Sequence, residues 1–176
     1  MEKNKELWER CVAFHGHACG GLAVGYQASL YAMELLGVSG RAQDEELVCV
    51  TENDACGVDA VQAVLGCTVG KGNLIFRMTG KQAFNFFDRQ SGKGVRLLLR
   101  ATPGLSRQER ESWLMHGDFH EMFDVGPARA ALPETARIFK TCTCAKCGER
   151  MAESHAHLQN GEIVCDDCFA PYTRGL

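Results

Sequence analysis

The sequence predicts an α+β fold: a mixed core domain over residues 1–138, then a small four-cysteine module over residues 139–176. Two observations predict the core. Apolar residues recur at helical spacing near the start, and short β-branched and aromatic runs follow without regular alternation. The third is the cysteines, ten in 176 residues. Cys11, Cys19, Cys49, Cys56 and Cys67 are scattered, whereas Cys142, Cys144, Cys147, Cys165 and Cys168 crowd together. Between the two groups, Gly126 to Pro133 is rich in small residues and proline and reads as a connector.

In chain order, Leu7, Trp8, Cys11 and Val12 fall on one helical face, so a first helix ends near Phe14. Leu22 to Leu36 reads as a buried helix stopped by Gly37. Leu47 to Thr51 is a β-branched strand. Asp54 is a candidate cap for a helix over Gly57 to Leu65. Asn73 to Thr79, Gln82 to Asp88 and Val95 to Thr102 read as strands, the last two joined by a hairpin loop over 89–94. Ser106 and Glu109 match a capping box that opens a further helix.

Composition narrows the function. A net charge of −3 gives no basic excess, so nucleic acid is not an expected partner. The first residues carry no apolar segment with a cleavage site, which points to the cytoplasm, where clustered thiols more often hold metal than form disulfides. The charge-free stretch from Cys11 to Met33 is long enough to span a bilayer. It holds His15, His17, Gln27 and a series of glycines, so it reads as a site plus a packed helix and not as a membrane segment.

Cys144-Ala-Lys-Cys147 and Cys165-Asp-Asp-Cys168 form two knuckles separated by 17 residues. Four thiolates so spaced suit a structural tetrahedral zinc. Asn160-Gly161 between short apolar runs predicts a hairpin turn, and a short final helix would complete the module. From Thr141 onward three basic residues face five acidic ones, again unlike a nucleic-acid reader. Cys142, His155 and His157 read as surface neighbours of this metal.

The core carries a second constellation. If residues 15–19 are extended, His15, His17 and Cys19 point to one side. Cys19 and Cys56 each precede a predicted helix, where the dipole favours a thiolate. An imidazole–thiolate site at two helix starts would leave a coordination position open, as catalytic metal sites do; buried packing is the alternative. Gly66 to Gly72 departs from the phosphate-loop pattern and reads as a tight connection, with Lys71 free to attract an anion. Asp118, His120 and Glu121 beside His116 read as a solvated surface.

In combination the motifs resemble the FmdE family, named after a component of formylmethanofuran dehydrogenase. The resemblance rests on Phe14-His-Gly-His-Ala-Cys-Gly-Gly-Leu-Ala-Val-Gly25, Asp54-Ala-Cys-Gly-Val-Asp-Ala-Val-Gln62, Gly66-Cys-Thr-Val-Gly-Lys-Gly-Asn-Leu74 and Ala136-Arg-Ile-Phe-Lys-Thr-Cys-Thr-Cys144. Gly20 stands where many relatives have proline. The resemblance implies an α+β core followed by a treble-clef zinc finger, often as a homodimer. It also implies a metal-binding active site, which by matching position falls on His17, Cys19 and Cys56, with His15 a further candidate. The implied metals are a structural zinc in the module and a second transition metal, zinc first among the candidates, in the core. The pterin and iron–sulfur chemistry of the named enzyme belongs to its other polypeptides, and the chain offers no segment for a large pterin. Two readings stand open. One is a metal-dependent protein acting on a one-carbon carrier or other small anionic ligand oriented by Lys71. The other is a non-catalytic accessory protein that delivers metal or docks onto a larger redox complex.

Overall fold

The computed structural model describes residues 2–102 and 104–174, which fall into two compact units, 1–135 and 136–176. The first contains α1 (Glu2–His15), α2 (Gly20–Leu36), β1 (Leu47–Thr51), α3 (Gly57–Leu65), β2 (Leu74–Phe76), β3 (Ala83–Asp88), β4 (Gly94–Leu99), α4 (Arg107–His116), α5 (Phe119–Met122) and β5 (Phe123–Pro127). The five strands form one sheet in the order β2-β1-β3-β4-β5. β1 and β2 are parallel, with α3 crossing between them, and the other pairs are antiparallel. The expected helices and strands are thus present: β1 keeps the expected bounds, whereas β2, β3 and β4 are four, one and two residues shorter than expected.

Period-two alternation splits the sheet into two faces. Phe84, Phe86 and Leu97 point to the helices and are fully buried with Leu22, Val61, Val64, Met122 and Phe123. Val48, Val50 and Phe87 form a second cluster covered by Ala128 and Ala130. Beside it, the Arg96 guanidinium donates to both carboxylate oxygens of Glu52 at 2.6 and 2.9 Å. Asn85 donates to Glu52 and accepts from the backbone N–H of Arg129 at 2.8 Å.

The stretch expected to be a connector is therefore bound to the sheet. Its first two residues end the edge strand β5, where Pro127 is tolerated because only β4 pairs with it. Arg77 then donates to the Arg129 carbonyl and Arg89 to the Pro133 carbonyl, at 2.6 and 2.7 Å.

The helices meet closely where it matters for the site. A Cβ on Gly25 of α2 would lie 1.8 Å from the Gly57 carbonyl oxygen at the start of α3. Only hydrogen fits there, and the missing side chain lets the backbones of α2 and α3 touch. Asp54 does not cap α3. Cys56 occupies the cap position in helical backbone geometry and makes no side-chain cap bond.

The second unit contains β6 (Thr141–Thr143), β7 (Arg150–Ala152), β8 (Ala156–Gln159) and β9 (Glu162–Cys165). They pair as two antiparallel hairpins. The first encloses the Cys144–Cys147 knuckle, and the second turns at Asn160-Gly161, both at positive φ, as the sequence predicts. The expected final helix is not formed among the described residues: after Cys165 the chain makes one turn and continues irregularly to Arg174. Among those residues, only Cys144 and Val164 of this unit are buried apolar side chains.

Candidate metal centres

In the second unit, the sulfurs of Cys144, Cys147, Cys165 and Cys168 all lie within 4.8 Å of one another. Cys147 Sγ and Cys165 Sγ are 3.9 Å apart. The edge of a tetrahedron of thiolates around zinc is about 3.8 Å, given Zn–S bonds of about 2.3 Å, whereas a disulfide needs about 2.05 Å. The backbone N–H of Cys165 donates to Cys144 Sγ at 3.4 Å. With the Cys147 amide, it lowers that thiol to about 6. This donor set suits a soft, four-coordinate metal ion. His155 and His157 lie outside it, both bonded to Asp166, at 2.9 and 2.6 Å. Cys142 is also outside the four-sulfur group, on β6 opposite Met151.

In the core, ligand atoms of His15, His17 and Cys19 likewise lie within 4.8 Å of one another. The stretch is not extended. His15 is the last residue of α1, Gly16 turns the chain at φ 94°, and Cys19 caps α2. The left-handed turn at Gly16, which a side chain would strain, does what strand alternation was expected to do. Cys19 Sγ accepts from the Leu22 N–H at 3.3 Å, which fixes the sulfur at the positive end of α2.

His15 is oriented from behind. Its Nδ1 meets Asp59 Oδ2 at 2.7 Å, leaving Nε2 facing Cys19 Sγ at 3.9 Å. A carboxylate holding one ring nitrogen while the other faces a ligand position is the usual outer shell of a metal-bound histidine. Asp59 sits in the first turn of α3, three residues past Cys56. That spacing was legible in the sequence, although its role was not.

Cys56 is brought to the same place from α3. Its Sγ and that of Cys19 lie 3.5 and 3.9 Å from the position a Gly21 Cβ would take. Burial and the adjacent Cys19 push the Cys56 thiol up, the reverse of what its position before a helix suggests. It is not part of the His15–His17–Cys19 group, whose ligand atoms all lie within 4.8 Å of one another.

Lys71 is not brought to this site. Its Nζ donates to the carbonyls of Ala42 and Asp44 at 3.0 and 2.9 Å. Its loop follows the C-terminal end of α3, while Cys56 stands at the other end, a helix length of about 13 Å away. The loop is closed by buried Asn73, which accepts from the Thr68 N–H and donates to Leu47 O, so it is the tight connection the sequence suggests. Asp118 caps α5, and His120 bridges it to Glu34 on α2, at 2.7 and 2.9 Å. These two carboxylates raise His120, and the cluster stays at the surface.

Two cavities adjoin the core cluster. One, of about 330 Å³, is lined by His15, Asp54, Cys56, Asp59 and Phe76. The other, of about 390 Å³, opens beside Cys19 and Gly21 beneath α4. Over residues 14–148 the chain matches the family described as FmdE, Molybdenum formylmethanofuran dehydrogenase operon.

The chain belongs to the FmdE family.

The FmdE match begins one residue before His15 and ends one residue after Cys147. A relative from Archaeoglobus fulgidus, described as a probable S-adenosyl-L-methionine-binding protein, is 31% identical over 181 aligned positions. The alignment covers 85% of this FmdE chain, which spans half the length of that relative. The fold matches a crystal structure of a tungsten formylmethanofuran dehydrogenase FmdE-like protein from Syntrophus aciditrophicus, with a TM-score of 0.66 and 24% identity. That match covers 94% of this chain and 91% of the other. No helix among the described residues of this FmdE protein is long and apolar enough to cross a membrane.

Proposed function

We propose that the core is a metal-dependent site for a small anionic ligand or one-carbon carrier. His15, His17 and Cys19 hold the ion, Cys56 is the neighbouring thiol, and the second unit is a structural zinc finger. The observation that carries this reading is the Asp59–His15 pair, which leaves His15 Nε2 facing Cys19. Three ligands with a cavity on either side fit a site with an open position. A transition metal bound there would polarise an oxygen of the ligand. The protein's own part is to hold His15 in one tautomer through Asp59, to fix the Cys19 sulfur through the Leu22 amide, and to shape the cavities. The name of the archaeal relative adds S-adenosylmethionine to the compounds worth testing as ligands.

Metal analysis of the full chain, purified without an affinity-tag metal, tests the site. Two equivalents of zinc or a similar ion are expected in the parent and one in His15→Ala and Cys19→Ser, with the finger still folded. A single equivalent in the parent, unchanged by either substitution, would return the core cysteines to packing. The accessory reading predicts the same stoichiometry but an ion that exchanges readily to a metal-binding dye.

A further inference from the structure

We propose that Arg107 and Arg110 on α4 are the anion-recognition residues of the core site, and that the cavity beneath them takes a small oxyanion with a short apolar stem. This rests on the reading of the core as a metal site, but the cavity can be tested apart from the metal.

The cavity of about 390 Å³ is lined by Arg107 and Arg110 on one side and by Cys19, Gly20 and Gly21 on another. Such a volume suits a small molecule. Leu114 lies 3.1 Å from where a Gly20 Cβ would stand, and Gln27 donates to the Gly117 carbonyl at 3.5 Å. α4 therefore runs alongside α2, and its first turns project past the α2 start, over Cys19. The capping box at Ser106 fixes where those turns begin, with both reciprocal bonds formed.

Arg107 and Arg110 are three apart and share a helix face. Neither guanidinium has a side-chain partner among the described residues, although other arginines of the unit, such as Arg89, Arg96 and Arg100, are engaged. Glu111 also lines the cavity, so its charged rim carries two positive groups against one negative. The remaining wall includes Val24, Leu99 and Leu114, and Gln82 supplies an amide. Two guanidinium forks can hold a carboxylate or a phosphate by paired charge-assisted bonds. The stem would lie on the apolar wall, and the far side of the cavity is Cys19, a ligand of the core site. The recognition that sequence reading assigned to Lys71 falls instead to α4.

The test is calorimetric titration of the whole 176-residue chain, zinc-loaded, with butyrate and, separately, with inorganic phosphate. Binding of one of them is expected, and Arg107→Ala with Arg110→Ala should weaken it at least about tenfold. Both arginines are exposed, so the variant should keep the parent melting temperature and metal content. Paired Arg→Lys substitutions should recover only part of the affinity, because the charge remains and the forks do not. Butyrate binding alone identifies a carboxylate head and phosphate binding alone a phosphoryl head. No binding of either by the parent at millimolar concentration, or equal binding by the double alanine variant, overturns the proposal. If the parent holds one metal equivalent yet still binds the anion through both arginines, the cavity assignment stands and the core-metal reading falls.

Discussion

Glu52 and Arg96 lie on the sheet face under residues 128–130, 2 and 5% exposed. The Arg96 guanidinium, with Asn85 and Thr79, holds the Glu52 carboxyl down at about 2 from an ordinary value of 4.5. A carboxyl whose folded value lies below its unfolded one stabilises fully above about pH 4.5, and its contribution is lost as pH falls toward 2. The shift corresponds to roughly 3 kcal/mol. Trp8 and Trp113 both belong to the core unit, so urea melts followed by tryptophan fluorescence read that unit alone. Glu52→Gln should lower stability at pH 6 and flatten its fall between pH 4.5 and 2; parallel pH profiles would contradict the linkage. Asp59 acts at the same scale. Asp59→Asn should weaken core metal binding by about 10- to 100-fold in chelator competition, while the finger metal stays bound.

At the scale of elements, the core site depends on how α2 meets α3. Cys19 caps α2 and Cys56 stands just before α3, and the two starts are neighbours because Gly25 and Gly57 let the backbones touch. Gly25→Ala would place a methyl within 1.8 Å of a backbone oxygen, which no rotamer change relieves. A loss of about 3 kcal/mol or more is expected, as for severe overpacking. The core metal should be lost with the finger metal retained, as metal analysis beside a thermal melt would show.

The sequence made much of this scale legible, because helix stops, capping boxes and hairpin turns are local. Gly37, the Ser106–Glu109 pair and Asn160-Gly161 all act within a few residues. β5 was hidden because Phe123-Asp-Val-Gly-Pro127 carries turn residues that only an edge position tolerates. Asp59 and the two α4 arginines were visible as residues but not as partners. Their meaning comes from helix crossings between segments tens of residues apart in sequence, and no spacing rule encodes those. Lys71 misled for the same reason: its charge was visible, but not the two carbonyls that engage it.

For the whole molecule, the two units hold themselves together by different means. The core buries an extended apolar cluster between helices and sheet, whereas the finger buries only Cys144 and Val164 among its described apolar side chains. A module that buries so little needs more than apolar burial to fold, and on the proposed reading a bound metal supplies it. A strong chelator should therefore open residues 136–176 to trypsin at Lys146 and Arg150 while a fragment near 1–135 survives, as mass spectrometry would show. A resistant finger would mean that its hairpins fold without metal.

The buried cysteines give the core a clock of its own. Cys11, Cys49 and Cys67 have no exposed surface. Burial pushes Cys11 to about 11 and Cys67 to about 12, and Cys49 rises well above the ordinary thiol value. An alkylating reagent attacks the thiolate, so at neutral pH it reaches these three sulfurs only when the core opens. When closing outpaces alkylation, the rate of labelling at each one records the free energy of the opening that exposes it. These three buried thiols thus report, residue by residue, what fraction of the time the scaffold around the candidate site stands open.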